Sequence, residues 1–79
     1  MDLLHAVGHA IRLAREQAGL TQQELSERSG IHFVSLSRIE RGAMEARLLT
    51  LNAVAEALSL STSELIHSAE VIQSLKPGT

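Results

Sequence analysis

Few side chains in this sequence have the type and spacing required for catalysis or metal binding. His5 and His9 are four residues apart, which places two imidazoles on one face of a helix, where both can bind a metal ion. No third ligand accompanies them, and the Glu of a zinc-protease motif is missing. The serines lie outside any nucleophile-elbow pattern, and there is no glycine-rich loop for phosphates. We therefore expect no catalytic residue, no metal site, no cofactor and no small-molecule ligand, and we classify the chain as a non-enzyme.

The size and composition of the chain favour one small helical domain. Its 79 residues are 44% hydrophobic and include a single aromatic residue, Phe33, and no Cys. Without Cys, disulfides and thiolate metal sites are excluded, so stability must come from the burial of aliphatic side chains. No apolar run approaches the ~18 residues expected of a membrane span, and the first residues lack the basic start of a signal peptide. The sequence therefore predicts a cytoplasmic domain that does not enter a membrane.

Apolar residues recur at steps of three and four, which predicts helices, and the alternation typical of strands is absent. The first helix is expected to end at Gly19, and the second at Gly30, which can adopt the positive φ of a helix end. The third helix is expected from about Phe33 to Arg41 and is stopped by Gly42. The predicted buried stripes are Leu4, Val7, Ile11, Ala14 and Ala18 in the first helix, and Leu48, Leu51, Val54, Ala55 and Leu58 in the fourth.

Two polar segments predict where helices begin. Thr21-Gln22-Gln23-Glu24 and Ser61-Thr62-Ser63-Glu64 are capping boxes, in which the hydroxyl and the carboxylate each accept a backbone amide of the other residue. Residues 43–47 contain no strong cap and are interpreted as a loop. The fifth helix is expected to continue through Leu75 until Lys76-Pro77-Gly78 ends it. The predicted fold class is therefore all-α, a compact arrangement of five helices.

The second and third helices, joined by a short turn at Gly30, have the arrangement of a helix-turn-helix motif. The residues that sharpen this assignment are Ile11-Arg12, Arg15, Gly19 to Leu25, Ser29-Gly30-Ile31, Leu36 to Gly42, Thr50-Leu51 and Val54 to Leu58. Together they closely resemble the Cro and phage-repressor helix-turn-helix family, also called the XRE family, over roughly residues 7–66. The resemblance implies a lambda-repressor-like DNA-binding domain at residues 1–66 and a carboxy-terminal helical extension and tail at residues 67–79.

By this resemblance, the first turn of the second helix lies against the DNA backbone. Backbone amides at a helix N-terminus bind phosphate oxygens without the help of a cationic side chain. Arg41 and Arg47 match positions where relatives contact phosphates, and the fork of guanidinium donors suits this role. The implied backbone contacts are Thr21, Gln22, Gln23, Ser35, Arg41 and Arg47. The alternative is that Gln22, Gln23 and the two arginines are ordinary solvated residues.

The third helix matches the recognition helix that enters the major groove of DNA. The implied base contacts are Phe33, Val34, Ser37 and Arg38, with His32 and Ser35 at the margin. Arg38 can bond to both O6 and N7 of guanine, whereas Phe33 and Val34 can offer only apolar contacts to thymine methyl groups. These two residues depart from the polar types common in the family, and packing against the domain itself or a protein partner is their alternative role. The resemblance also implies a partly buried ion pair between Arg15 and Glu40.

The net charge of −2 is unusual for a protein that resembles DNA binders. Residues 1–47 contain six Arg and six acidic residues, so the acidic excess lies in the carboxy-terminal part. Because there are few cations, non-specific attraction to DNA is modest and a monomer is expected to bind poorly. Two copies related by a two-fold axis would place their recognition helices in successive major grooves, about 34 Å apart. The expected dimer interface, which could instead fold back onto its own domain, comprises Leu60, Ile66, Val71, Ile72 and Leu75.

The sequence therefore predicts a homodimeric transcriptional regulator that binds double-stranded DNA at an inverted-repeat operator, in particular an autoregulatory repressor. In the XRE family, which this sequence resembles, members of this size include phage repressors, antitoxins and the controller proteins of restriction-modification operons. The alternative is a protein-interaction module or antitoxin-like subunit that shares the fold and binds DNA weakly or not at all. Phe33, Val34 and the negative charge favour the alternative, whereas Gln22, Arg38 and Arg41 favour DNA binding.

Overall fold

The computed structural model describes residues 1–75, and this part of the chain folds into helices joined by short connections, without a strand. The five helices are α1 (Leu3–Gln17), α2 (Gln22–Ser29), α3 (Phe33–Glu40), α4 (Leu48–Ala57) and α5 (Thr62–Ser74). The predicted all-α class and the predicted order of helices are confirmed. The helix stop expected at Lys76-Pro77-Gly78 lies outside the described residues.

Both predicted capping boxes are present at helix N-termini. Thr21 Oγ1 accepts the Glu24 amide at 3.1 Å, and Glu24 Oε1 accepts the Thr21 amide at 2.9 Å. Ser61 and Glu64 form the same pair of hydrogen bonds at 3.0 Å each. These bonds hold the pKa of each glutamate below its ordinary value, because the backbone amide donates to the charged carboxylate. By contrast, α4 begins after Arg47 with no side-chain cap.

The hydrophobic core takes side chains from all five helices, and it differs in part from the predicted stripes. The expectation that Leu4 and Ala18 lie on the buried side of α1 is wrong, because both are exposed. The small residues Ala6 and Ala10 are buried instead, since α1 packs closely against its neighbours. In α4, the expectation that Leu48 is buried is also wrong, because it lies in the first turn and is 70% exposed. The size of an apolar side chain therefore did not decide which face was buried.

The packing of the helices determines which side of α3 is covered. α1 packs mainly against α5 and also against α3, while α2 packs against α3 and α4. Leu36 and Ile39 of α3 are buried in the core, together with the Glu40 side chain. The opposite side of α3 remains uncovered by the rest of the domain. Within residues 1–75, none of the helices combines the length and the apolar character needed to cross a membrane.

Candidate nucleic-acid interface

The turn between α2 and α3 is held by a small set of hydrogen bonds. Gly30 ends α2 with a φ of 75°, as predicted, and its amide donates to the Ser26 carbonyl oxygen at 2.9 Å. This left-handed conformation strains residues that carry a Cβ, which explains why Gly occupies the position. Ser26 Oγ donates to the Ile31 carbonyl oxygen at 2.6 Å, and the Ile31 amide donates to Ser29 Oγ at 3.2 Å. The turn therefore fixes the direction in which α3 leaves α2.

The side chains implied as base contacts lie on the uncovered side of α3. They are Phe33, Val34, Ser37 and Arg38, at helical spacings that share one face. Phe33 and Val34 are 41% and 45% exposed, so neither is enclosed by the domain's own core. Arg38 is exposed and Ser37 is half-buried. α3 therefore presents two apolar groups and one guanidinium to another molecule.

A buried polar network connects α1, α2 and α3. Arg15 donates from Nε to Glu40 Oε2 at 2.8 Å and from Nη2 to Glu40 Oε1 at 3.0 Å. The two side chains are 12% and 3% exposed, and Arg15 Nη1 also donates to the Leu20 carbonyl oxygen at 2.8 Å. The hydrogen bonds to Glu40 raise the pKa of Arg15 above its ordinary value. The structure thus brings together the two residues of the implied ion pair.

Gln22 is part of the same network, a contact that no pattern in the sequence predicts. Its Nε2 donates to Glu40 Oε1 at 3.1 Å, and the side chain is half-buried. Since an amide nitrogen carries two hydrogens, one N–H of Gln22 remains for an outside acceptor such as a phosphate oxygen. Gln23 is exposed and makes a long contact of 3.4 Å from Nε2 to Glu27 Oε1. Thr21 is also exposed, with its oxygen engaged in the cap.

A cleft of about 480 Å³ separates the N-terminal ends of α3 and α4. Its polar lining consists of His32, Ser35, Glu45, Arg47 and Thr50. Two implied phosphate contacts, Ser35 and Arg47, are therefore close together, with Ser35 half-buried and Arg47 exposed. Thr50, one of the residues that carry the family resemblance, was not predicted to contact DNA, although the lack of a good capping residue at position 47 indicates an open helix N-terminus beside it.

Arg41, the last implied phosphate contact, lies at the other end of α3. It is the C-cap residue of the helix and is exposed. Its Nε makes a long hydrogen bond of 3.4 Å to the Ser37 carbonyl oxygen, so the rest of the guanidinium remains accessible. Cationic groups therefore lie at both ends of the uncovered side of α3, since Arg47 borders its N-terminal end.

The residues expected at the dimer interface are not all on one exposed face. Leu60, Ile66 and Ile72 are partly buried and pack against the core of their own domain. Val71 and Leu75 are 47% and 63% exposed at the carboxyl end of α5. Ile66 also borders an apolar groove of about 450 Å³ between α1 and the residues that follow α3. Only Val71 and Leu75 of the expected set therefore remain mainly available for contact with a second copy.

Of the two histidines, His5 is hydrogen-bonded to Asp2, the N-cap residue of α1. His5 Nδ1 lies 2.8 Å from Asp2 Oδ1, and the His5 amide donates to the same oxygen at 2.8 Å. The hydrogen bond from the His5 amide lowers the pKa of Asp2 below its ordinary value, and the hydrogen bond with the His5 ring lowers it further. Within residues 1–75, no three His, Asp or Glu side chains are grouped so that they could hold a metal ion.

The structure is that of a helix-turn-helix DNA-binding domain. Its α2 and α3 are joined by the turn at Gly30, Arg15 holds α3 through Glu40, and one side of α3 is left uncovered. Comparison with protein families gives the same result, because residues 11–65 match the model described as helix-turn-helix. The chain belongs to this helix-turn-helix family, of the XRE type, and is a transcriptional regulator of that kind. The expected family and fold are therefore confirmed, and this family is not a class of enzymes.

Individual relatives agree with this assignment. An HTH-type transcriptional regulator of Sinorhizobium fredii, y4dJ, is 39% identical over 66 residues, covering 84% of this chain and 86% of that protein. The control protein C.SmaI of Serratia marcescens is 32% identical over 66 residues, covering 84% and 79%. The crystal structure of the clp gene regulator ClgR from Corynebacterium glutamicum is 33% identical with a TM-score of 0.87, covering 96% and 99%. For several other curated relatives, the chain spans less than half of their length.

Proposed function

We propose that this chain is a sequence-specific repressor that binds an inverted-repeat operator as a homodimer. The uncovered face of α3, with Arg38 exposed beside Phe33 and Val34, is the observation that carries the proposal. An α-helix fits the major groove, where the Arg38 guanidinium bonds to O6 and N7 of a guanine. The two apolar side chains then contact thymine methyl groups, which are apolar features of the same groove.

Phosphate contacts on both sides of the groove orient α3 in this proposal. On one side, the first turn of α2 offers Thr21, Gln22 and Gln23, and Glu40 holds the Gln22 amide in place. On the other side, Arg47 and Ser35 face a cleft at the N-terminus of α4, which has no side-chain cap. Such contacts fix the position of the protein on the duplex but carry no sequence information.

Dimerisation compensates for the low positive charge of the domain. Each subunit makes few cationic contacts with its DNA half-site, so two linked subunits are needed for useful affinity. Val71 and Leu75, which are exposed at the end of α5, belong to the proposed contact between copies. One relative is named a control protein. By analogy, we propose that this chain controls transcription by repressing its own gene. Occupancy of the operator then depends on the concentration of the dimer.

A gel-shift experiment with DNA from upstream of the protein's own gene tests operator binding. We expect salt-sensitive binding to an inverted repeat, and loss of preference at one base pair in each half-site for Arg38→Ala. Arg28→Ala is the matched control, because Arg28 is also exposed but lies at the end of α2, outside the proposed interface. Binding no stronger than to non-specific DNA, or an equal effect of both substitutions, contradicts the proposal.

Sedimentation at micromolar concentration tests the dimer. Val71→Glu and Leu75→Glu place a charge in the proposed contact and are expected to shift the protein to monomer and to make promoter occupancy rise less steeply with concentration. Leu13→Glu is the control, since Leu13 on α1 is 47% exposed, like Val71, but is not part of the expected interface. A wild-type protein that sediments only as a monomer removes the dimer from the proposal.

The exposed Phe33 and Val34 also support a second candidate function, a protein-interaction module that shares the fold. Aromatic and aliphatic side chains on a surface are typical of contacts between proteins. The two functions differ in the effect of salt and of charge removal. If Phe33→Ser abolishes association with a protein partner while Arg38→Ala and added salt have no effect on any DNA complex, the second function is favoured.

A further inference from the structure

His32 is the N-cap residue of α3, and its ring takes part in the cap. The Val34 amide donates a hydrogen bond of 3.2 Å to His32 Nδ1. A ring nitrogen that accepts a hydrogen bond carries no proton, so the proton of the neutral imidazole is on Nε2. The helix backbone therefore selects one of the two tautomers of this histidine.

The remaining nitrogen of His32 is available for another molecule. The residue is exposed and directly precedes Phe33, at the end of α3 that lies closest to the bases when such a helix enters the major groove. Because Nδ1 is directed at the Val34 amide, Nε2 on the other side of the ring is directed away from it. His32 thus presents a single N–H donor and no acceptor at the DNA-facing end of the helix.

We propose that His32 is a specificity-determining residue that donates from Nε2 to N7 of a guanine in the operator. This inference rests on the proposed function. Guanine offers two acceptors in the major groove, N7 and O6, and thymine offers one, O4, beside its methyl group, whereas cytosine offers only the N4 donor and adenine places its N6 donor beside N7. A group that can only donate therefore favours guanine and disfavours cytosine. The contact is separate from that of Arg38, which lies more than one helical turn further along α3.

Substitutions that keep the cap but change the outer group separate the two roles of His32. Ser and Asp are both good N-cap residues, so His32→Ser and His32→Asp are expected to leave the urea unfolding midpoint close to that of the wild type. His32→Ser removes the donor from reach of the bases. His32→Asp replaces the donor by an acceptor, which matches the N4 donor of cytosine.

Selection of bound duplexes from a random library, followed by affinity measurements on single operators, tests the inference. We expect wild-type protein to prefer guanine at one pair by roughly three- to ten-fold, the range of one hydrogen bond. His32→Ser should lose this preference alone, and His32→Asp should move it towards cytosine. Replacing that guanine by 7-deazaguanine, which lacks the N7 acceptor, should weaken the wild type by a similar factor and leave His32→Ser unchanged.

Three results would overturn the inference. The first is that His32→Ser selects the same motif as the wild type, and the second is that His32→Ser loses affinity equally for all sequences. The third is that 7-deazaguanine weakens the wild type and His32→Ser by the same factor. If any of these occurs while Arg38→Ala still alters one base preference, His32 acts as a cap only and the proposed function stands. If the wild-type protein selects no motif at all, the proposed function fails, and the inference fails with it.

Discussion

The backbone of α1 at Gly8 lies directly against the backbone of α3 at Glu40. A Cβ placed on Gly8 would be 2.6 Å from the Glu40 carbonyl oxygen and would also meet the Ile39 carbonyl oxygen. These neighbours are backbone atoms, which cannot rotate away as the end of a long side chain can. The same segment of α3 carries the Glu40 carboxylate that binds Arg15. α1 therefore positions the carboxyl end of α3 through close backbone contact and through an ion pair.

Gly8→Ala is expected to lower the free energy of unfolding by about 1–3 kcal/mol, the usual cost of overpacking a core. The loss should occur although Ala has the higher helix propensity, by about 1 kcal/mol. Urea unfolding measures the change, with His9→Ala as the control at an exposed neighbouring position. The control should change stability by no more than about 0.5 kcal/mol. A Gly8→Ala protein as stable as the wild type would show that α1 can move away from α3.

The Arg15–Glu40 pair is expected to show strong energetic coupling. Arg15→Met or Glu40→Leu alone leaves a buried charge without its partner and should cost about 3–5 kcal/mol. The double variant removes both charges and should be more stable than the sum of the single losses implies. A double-mutant cycle from urea unfolding measures the coupling. Additive losses would mean that the two side chains do not stabilise each other in solution.

Stability is expected to fall at acidic pH because of the two capping boxes. The pKa values of Glu24 and Glu64 are lower in the folded protein than their ordinary value of 4.5, chiefly because each carboxylate accepts a backbone amide hydrogen bond. The folded state thus binds fewer protons than the unfolded state at acidic pH. The stabilisation is complete above the ordinary value and is lost as the pH falls through the lowered one. Urea midpoints measured from neutral pH downwards should decrease in this range.

A Glu24→Gln, Glu64→Gln double variant tests the origin of this pH dependence. Gln can still accept the amide in a capping box but does not titrate. Its urea midpoint should therefore change less with pH than that of the wild type. Part of the pH dependence should remain, because the pKa of Asp2 is also lowered in the folded protein. Glu70→Gln, at an exposed position within α5, is the control and should behave like the wild type. Equal pH dependence of both variants would assign the effect to other carboxyl groups.

Gln22→Ala is expected to weaken binding to all DNA sequences by a similar factor. The side chain is implied as a phosphate contact, and phosphate contacts do not distinguish sequences. Gln23→Ala is the comparison, because Gln23 lies in the same turn but has no hydrogen bond to Glu40. If Glu40 positions the Gln22 amide, the loss of affinity should be larger for Gln22→Ala. A change of sequence preference instead would place Gln22 at the bases.

Ser59→Gly is expected to stabilise the protein by up to about 1 kcal/mol. Ser59 follows α4 with a φ of 59°, a left-handed conformation that costs an L-residue roughly 1–2 kcal/mol. The Ser59 amide donates to the Glu56 carbonyl oxygen and the Leu60 amide donates to the Ala55 carbonyl oxygen. In helix ends with this hydrogen-bond pattern, the left-handed residue is usually Gly. Ser68→Gly, at an exposed position inside α5, should instead destabilise by about 0.5 kcal/mol. If both substitutions lower the urea midpoint, the left-handed conformation is not a source of strain.

Much of the local structure could be predicted from neighbouring residues alone. The capping boxes at Thr21 and Ser61 and the left-handed turn at Gly30 form as expected. In each case, the hydrogen-bond partners or the backbone requirement lie within four residues, so short-range geometry decides the outcome. The α3 residues implied as base contacts also lie on one uncovered side, because helical periodicity groups those positions.

The tertiary structure decided which of several apolar or polar groups were buried. Leu4 and Leu48 are exposed whereas Ala6 is buried, because the Ala6 side of α1 faces the core and Leu48 lies in the first turn of α4, outside it. Likewise, the bond between Gln22 and Glu40 joins residues 18 positions apart, which no local pattern predicts. The sequence by itself determined the helices, their ends and the family of the protein, since these depend on short-range spacing and residue type. The three-dimensional packing of α1 and α2 on α3 decided which groups remain available to DNA, because burial depends on contacts between distant parts of the chain.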